Sequence, residues 1–563
     1  MPFSQTPNPP PGSVGTPIPQ GPPSGFEPLK SPLFRKLWIA STVSNLGGWM
    51  QDTAGTWLMT VLTPSPLLIA LMQTAASLPV LVLGLLAGAT ADIFDRRRLL
   101  ILWQAWMLTA VALLSLLTFF NIISPWVLLT LTFLLSVGTA MNSPAWQAIV
   151  PELVPHDQLP EAISLNSAGF NLARALGPAL GGIAVAAFVH ADTGAGVTFL
   201  LNSLSFVGVI YVLYQWKRRP IFKSALPAER IYGSMRTGLR YVQYSPLLKA
   251  ALARVFVFAT FVSAVWALLA VVAARDLHQG ALGYGILNGS MGLGAVIGAT
   301  CLPRVRQRLS ADAIIAISTG VFIATLLILA FVHYALIIIP VLLCAGFCWT
   351  STMSTFNLAV QLSTPAWVQA RTLGIYQMVF SGGMALGSVI WGLLAEHAST
   401  PISLTAAAGG LLITLPLSNQ LHVMRGQLPD LTPIQSKAAV PQLTVEPEMS
   451  DGPVRILIDF DINLDDYNAF VKAIHELREI RMRDGAMRWG VFQDVDDRCH
   501  LTETFIMESW IDYLRQNERL TASDHIIHDR VIRFHTSSEP PRVTYTIYAK
   551  ERTNGNSDNS VAY

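Results

Sequence analysis

Charge is what this chain has least of: Asp, Glu, Lys and Arg make up only 13% of its 563 residues, against 52% hydrophobic. Mean hydropathy is positive, which excludes an ordinary soluble protein and leaves an integral membrane protein. A net charge of +2 gives no basic excess to recruit nucleic acid. Only four cysteines occur, Cys301, Cys344, Cys348 and Cys499, without zinc spacing. Three lie in apolar runs, where a thiol behaves as a small hydrophobe. No GxxxxGK[ST] loop is present, which disfavours an ATP-driven pump, and no motif asks for a cofactor or a metal. Residues 1–30 are rich in proline, glycine and serine and lack the basic start and apolar centre of a cleavable signal. They read as a disordered tail, so the first membrane helix serves as the targeting signal.

Apolar runs are abundant. A membrane helix needs about 20 mostly apolar residues, and a window of that length finds twelve: 36–62, 67–90, 99–120, 125–149, 161–190, 196–214, 249–274, 281–303, 311–333, 336–360, 369–396 and 401–421. The connections alternate in charge. "DRRR" (95–98), "KRRPIFK" (217–223) and "RVRQR" (304–308) fill even-numbered ones, and Lys30, Arg35 and Lys36 precede the first span, while odd-numbered ones hold almost no Lys or Arg apart from Arg275. The positive-inside rule then puts both termini in the cytoplasm, with the chain multi-pass in the cytoplasmic membrane.

After Leu421 the composition changes. A Pro-rich linker leads to "VRILIDFDI" (454–462), whose strict alternation is that of a half-buried strand. "LDDYNAFVKAIHELREI" (464–480) puts Tyr467, Phe470, Val471, Ile474 and Leu477 on one helical face, with Asn463 as N-cap. Two further strands, two helices and a final strand give the order βαββααβ, a small cytoplasmic α+β domain. His475, His500, His525 and His528 there have no metal-ligand spacing. The expected division is thus a tail (1–30), a six-helix bundle (31–214), an interdomain loop (215–248), a second bundle (249–421), a linker (422–452) and the α+β domain (453–550).

The two bundles resemble each other. "ALGPALGG" (175–182) aligns with "ALGSVIWG" (385–392) at an offset of 385 − 175 = 210, which also lays Gly88, Arg96 and Arg98 on Gly298, Arg306 and Arg308. "SPLFRK" (31–36) meets "SPLLKA" (245–250) at 214. Several matches at nearly one spacing argue for two parallel six-helix repeats, an architecture that places a ligand between the halves.

Two charges fall deep within the spans, Asp52 in the first and Arg174 in the fifth. Each lies on the order of 20 Å in, near the midplane of a ~30 Å core, where a lone charge costs several kcal/mol. Ser41, Asn45, Gly48 and Asp52 follow i, i+4, i+7, i+11, and so do Ser167, Asn171, Arg174 and Pro178. Each charge therefore belongs to a polar stripe, as a cavity lining requires. We expect Asp52 and Arg174 to interact, either as a coupling pair that changes on protonation or substrate binding, or as a static packing pair. Asn45, Trp49, Gln51, Asn142, Asn171 and Gln377 are the expected substrate-cavity residues. Gly169, Ala173, Gly177 and Gly181 recur every fourth position on the fifth span, and Gly285, Gly289, Gly292 and Gly298 mark the eighth. Such faces let the halves move across span pairs five/eight and two/eleven.

Twelve helices in two parallel halves, with Gly88, Asp92, Arg96, Arg97 and Arg98 after the second, resemble the major facilitator superfamily; Ile93 stands where a basic residue is usual. "DIFDRRR" and "SNLGGWMQDTA" are most similar to its enterobactin-exporter-like, transmembrane secretion effector branch. Gly177, Pro178, Gly181 and Gly182 resemble the motif of its proton-coupled exporters, with Ala173 in place of the first glycine. The resemblance implies the fold, an all-α membrane protein of twelve transmembrane helices, and a cytoplasmic gate of Gly88, Asp92, Arg96, Arg97, Arg98 and Arg371. It also implies export of a small organic molecule such as a siderophore, drug or secondary metabolite, with protons and the bilayer as the other partners. The last hundred residues resemble the antibiotic biosynthesis monooxygenase type of ferredoxin-like domain, leaving an enzyme, a sensor or a dimerisation module as its role.

Overall fold

The computed structural model describes residues 26–216, 231–365, 367–418, 430–432 and 447–549. Most of the expected tail, the "KRRPIFK" cluster and most of the linker lie outside them. Twelve long helices make up the bulk: α1 (Pro32–Leu62), α2 (Pro66–Ile93), α3 (Arg96–Phe119), α4 (Pro125–Leu153), α5 (Leu159–Ala186), α6 (Ala191–Gln215), α8 (Pro246–Val271), α9 (Ala281–Arg306), α10 (Ala311–Phe331), α11 (Ala335–Leu362), α12 (Gln369–His397) and α13 (Thr400–Ser418). Local chemistry sets their ends. Proline opens α1, α2, α4 and α8, where its missing N–H costs nothing. Ser65, Asp95 and Ser124 accept hydrogen bonds from the backbone N–H of Leu68, Arg98 and Val127, the usual work of an N-cap.

Among the described residues nine helices are long and apolar enough to cross a membrane. Outside that group fall α1 and α5, the helices carrying the polar stripes, and the short α13. Polar residues lining an interior lower mean hydropathy without shortening a helix.

The halves repeat in three dimensions as they do in sequence. α5 packs on α1, where a side chain at Gly177 would run into Trp49 Cβ and stand 3.3 Å from Leu46 O. α12 packs on α8 in the same way, with Gly387 against Thr260 O. The separations are 387 − 177 = 210 and 260 − 46 = 214, the two offsets read from the sequence.

The interval expected to be an interdomain loop holds a helix, α7 (Ile231–Gln243). It is amphipathic, with buried Gly238 and Tyr241 on one face and exposed Arg236 and Leu239 elsewhere. Too short and charged to span a bilayer, it is a surface helix.

Beyond the linker, strands β1 (Val454–Asp461), β2 (Arg488–Gln493), β3 (His500–Met507) and β4 (Arg542–Ile547) form an antiparallel sheet ordered β2-β3-β1-β4. Helices α14 (Tyr467–Asp484), α15 (Trp510–Arg519) and α16 (Ala522–Ile532) pack against it. The alternation of β1 sends Val454, Ile456 and Phe460 inward, opposite Met507, Phe505 and Leu501 of β3. Arg481 and Glu503 form a buried ion pair at 3.2 Å, and Trp489 Nε1 donates to the same carboxylate at 2.9 Å. Buried carboxylates need this satisfaction.

This unit sits on the helical body through α7. Arg240 donates to Gly485 O at 2.5 Å and Arg236 pairs with Glu508 at 2.9 Å. Arg483 covers the Tyr241 ring at 5.4 Å, and Arg519 covers Trp367, in the α11–α12 turn, at 4.4 Å. Tyr241 and Trp367 meet edge to face at 5.7 Å, so cation–π and aromatic contacts join three segments.

Burial, with the Arg481 charge adding to it, pushes the His528 imidazole down to about 4. Folded His528 is therefore neutral while the unfolded chain takes up a proton near ~6.5. Unfolded chain then binds more protons between those values, so stability should climb from pH 4 to about 6.5 and flatten above it. Pulse proteolysis of the purified chain across pH 4.5–7.5 should show this climb in the C-terminal unit, and His528→Gln should flatten it.

Candidate transport pathway

The halves touch most closely where α5 meets α9. A Cβ on Gly182 would stand 2.7 Å from Ala281 O and 2.8 Å from Gly285 Cα, so only glycine allows this backbone contact. One turn on, Gly289 faces Ala179, and Gly292 abuts Arg174 O and Ala175. The stripe of Gly169, Gly177 and Gly181, expected at this seam, faces Thr42, Trp49 and Met50 of α1 within its own half. A four-residue period drifts around an α-helix and cannot say which neighbour it meets. α2 and α12 form the second seam, Gly392 lying against Ala70 and Leu67. At the same end, Glu396 Oε2 accepts from Ser65 Oγ at 2.9 Å and from Leu67 N–H at 3.3 Å, a carboxylate capping a helix of the other half.

Towards the end that carries Arg96–Arg98 and Arg304–Arg308, α2 and α12 stay in contact, Gly84 against Met378, while cavities open beside α5 and α9. One of about 600 Å³ bridges the halves, with Phe170 and Arg174 on one side and Arg306, Trp349, Tyr376 and Gln377 on the other. A second, of about 730 Å³, lies within the first half and takes in Ser41, Asn45, Asn142, Ser167 and Asn171. Phe170 lines both.

The polar stripes thus reach cavities, but Asp52 and Arg174 do not pair: among the described residues no ion pair joins them. Arg174 lies over the Trp49 ring at 5.8 Å, and Trp49 meets Phe170 edge to face at 6.2 Å. Asp52 is accessible; its neighbour Thr53 accepts from Asn288 Nδ2 of α9 at 3.4 Å, and Trp57, one turn on, stacks on Tyr284 of α9. Helical rotation explains the divergence, since equal depth in two helices fixes no azimuth. Gln51, expected in the cavity, is buried and accepts from Asn202 Nδ2 at 2.5 Å. One position from Asp52 on a helix is a turn of ~100°, enough to aim it at α6 instead. Asn142 accepts from Gln104 at 3.4 Å, and Asn171 Nδ2 donates to Ser167 O at 2.9 Å.

At the arginine-bearing end, Arg96 pairs with Glu152 of α4 at 2.9 Å and donates to Ala148 O. Arg97 donates to Leu213 O and Tyr214 O at 2.8 and 2.7 Å, capping α6. Arg98 is exposed. The Arg371 side chain packs against Gly238 of α7. The Asp92 side chain lies outside what is described, so a latch through it is not placed. A Cβ on Gly88 would meet nothing within 4 Å, whereas Pro178 is buried with Gly177, Gly181 and Gly182.

Sequence reasoning overlooked Glu152, Glu396 and Arg306. Near the end of its span, Glu396 reads from the sequence as a charge that reaches water. Arg306 was visible through the duplication. It aligns with Arg96, yet the counterpart of Glu152, at 152 + 210 = 362, is Leu362.

A helical body of two repeated halves with a cavity on their seam is a multi-pass membrane transporter of the major facilitator type, not an enzyme. The chain belongs to the transmembrane secretion effector family, whose model matches residues 23–554. It is 26% identical over 360 residues to the staphyloferrin A transporter of Staphylococcus aureus, covering 62% of this chain and 86% of that one. It is 25% identical over 393 residues to the multidrug efflux pump Tap of Mycolicibacterium fortuitum, covering 68% and 94%. To the MFS-type transporter YfiS of Bacillus subtilis it is 29% identical over 235 residues, 40% of this chain and only 54% of that one. Among solved structures, the nucleoside transporter NupG superposes with a TM-score of 0.56 at 12% identity, over 69% of this chain and 100% of that one. A bacterial homologue of ferroportin does so at 0.54 and 15%, over 69% and 98%.

Gly182→Val should force α5 from α9 and lower the thermal midpoint of the purified protein, whereas Gly88→Ala should leave it within about 0.5 kcal/mol of the parent. Glu396→Ala should loosen the α2–α12 end by ~1 kcal/mol. Spin labels at exposed Val61 and Ile402 should then show a larger population of the longer distance.

Proposed function

We propose that this protein is a secondary active exporter that moves a small organic molecule out across the cytoplasmic membrane by alternating access, driven by proton entry. The observation that carries the reading is the asymmetry of the seam: closed by Gly182 on Gly285 and by Glu396 on α2, open as a cavity at the other end. Lysines and arginines cluster at the open end, so by the positive-inside rule it faces the cytoplasm and loads there. α1, α5 and α13 complete twelve spans in two repeats, the polar stripes of α1 and α5 turned away from lipid.

Asp52 supplies the proton site. It is an accessible carboxylate on α1, next to Thr53, which accepts from Asn288 Nδ2 of the opposite half at 3.4 Å, so a change in its charge acts across the seam. The siderophore and drug transporters among the relatives fit a substrate of that size.

The C-terminal unit has the split βαβ strand order of a ferredoxin-like fold. Its contacts favour a module that senses or braces the transporter over an enzyme. Arg240 ties it to α7, and α7 packs on Arg371 at the start of α12, so its position and the opening of the cytoplasmic end depend on each other. Deleting residues 440–563 should change the export rate in cells without changing which compounds are exported.

The decisive measurement is uptake into inverted vesicles under an imposed pH gradient, against a panel of siderophores and drugs. Uptake should vanish when the gradient is collapsed, and Asp52→Asn should remove the gradient dependence. Uptake indifferent to the gradient would refute proton coupling.

A further inference from the structure

We infer that the substrate is an amphiphilic organic anion, held in the cavity between the halves by Arg174 and Arg306. This deepens the export reading and rests on it. Both arginines line the 600 Å³ cavity, and no Asp or Glu is among its described lining residues. The ion pairs elsewhere show what a satisfied arginine looks like in this protein. Arg96 has Glu152 and Arg254 of α8 has Asp312 of α10, at 2.9 and 2.5 Å. Arg306 is the counterpart of Arg96, but Leu362 has replaced its carboxylate, and its Nη2 is buried without a hydrogen-bond partner. Arg174 has the face of Trp49 and, among the described residues, no acid.

Arg174, deep in its span without a described counter-ion, is costly to keep charged, and Arg306, at the end of α9, has one buried N–H group left unpaired, so a ligand bringing carboxylates satisfies both. The remaining lining selects the rest of the molecule. Trp349, Tyr376, Phe170 and Phe380 offer ring faces, while Gln377 and Ser354 offer neutral polar groups. Arg174 lies level with Gly292 of α9, so it and Arg306 are separated by 306 − 292 = 14 residues, ~21 Å of helix rise. Long side chains narrow that span from both ends. The spacing and the cavity volume fit an extended molecule with more than one acidic group better than a small inorganic ion.

The test is binding to the purified full chain in nanodiscs, read by quenching of tryptophan fluorescence. The probes are naphthalene-2,6-dicarboxylate, its neutral dimethyl ester and the cation rhodamine 123. The dicarboxylate should bind at least about tenfold more tightly than the other two. Arg174→Gln and Arg306→Gln should each weaken it ~10- to 100-fold, and Arg174→Lys and Arg306→Lys should restore part of the loss. Equal or tighter binding of the ester or the cation would overturn the inference, as would dicarboxylate binding that survives both glutamine variants. Binding needs no gradient, so intact anion preference with no proton-driven uptake would count against export alone. Gradient-driven uptake of cations instead would count against the anion site alone.

Discussion

Gly182 of α5 and Gly285 of α9 bring two backbones into contact with nothing between them, and much of the structure follows from that. The close approach recurs further along at Gly292, which abuts the backbone of Arg174 and Ala175, so glycines let the two helices touch along one stripe. Dispersion favours such contact in lipid, where burial of apolar surface offers little driving force. The Glu396 cap on α2 adds a polar tie at the same end. A body pinned at one end and open at the other is the geometry that the proposed alternating access requires of one state, and both pins are small.

The second constraint is the cost of polar groups inside a membrane, and it sorts them. Gln51 finds Asn202, Arg96 finds Glu152 and Arg254 finds Asp312. These residues are structural because they are satisfied. Arg174, Arg306 and Asp52 lie where the protein supplies no opposite charge to them among the described residues, and all three are near the seam between halves. Polar residues that the fold leaves unfinished mark where something else must bind.

The C-terminal unit brings a different chemistry to the same body. Its arginines stack on Tyr241 and Trp367, aromatic rings held by α7 and by the α11–α12 turn. Cation–π contacts tolerate small shifts that a backbone hydrogen bond would not. An attachment of this kind can follow a moving helix end, and α7 carries it to Arg371 at the start of α12.

Length and period determined a great deal unaided. Apolar runs marked the helices, alternation marked β1, and offsets of 210 and 214 marked a duplication that reappears as matching contacts at Gly177 and Gly387. These signals are local, or repeat along the chain, so they survive without coordinates. Azimuth and neighbour do not. The sequence put Asp52 and Arg174 at similar depth and joined them, and it aimed the four-residue glycine stripe at the opposite half. Only packing revealed that Arg174 turns to Trp49, that Gly177 and Gly181 serve α1, and that Gly182 and the Pro178 carbonyl meet α9. Depth follows from counting residues along one helix, whereas facing depends on how each helix is rotated against its neighbours, and that is settled by the whole bundle at once.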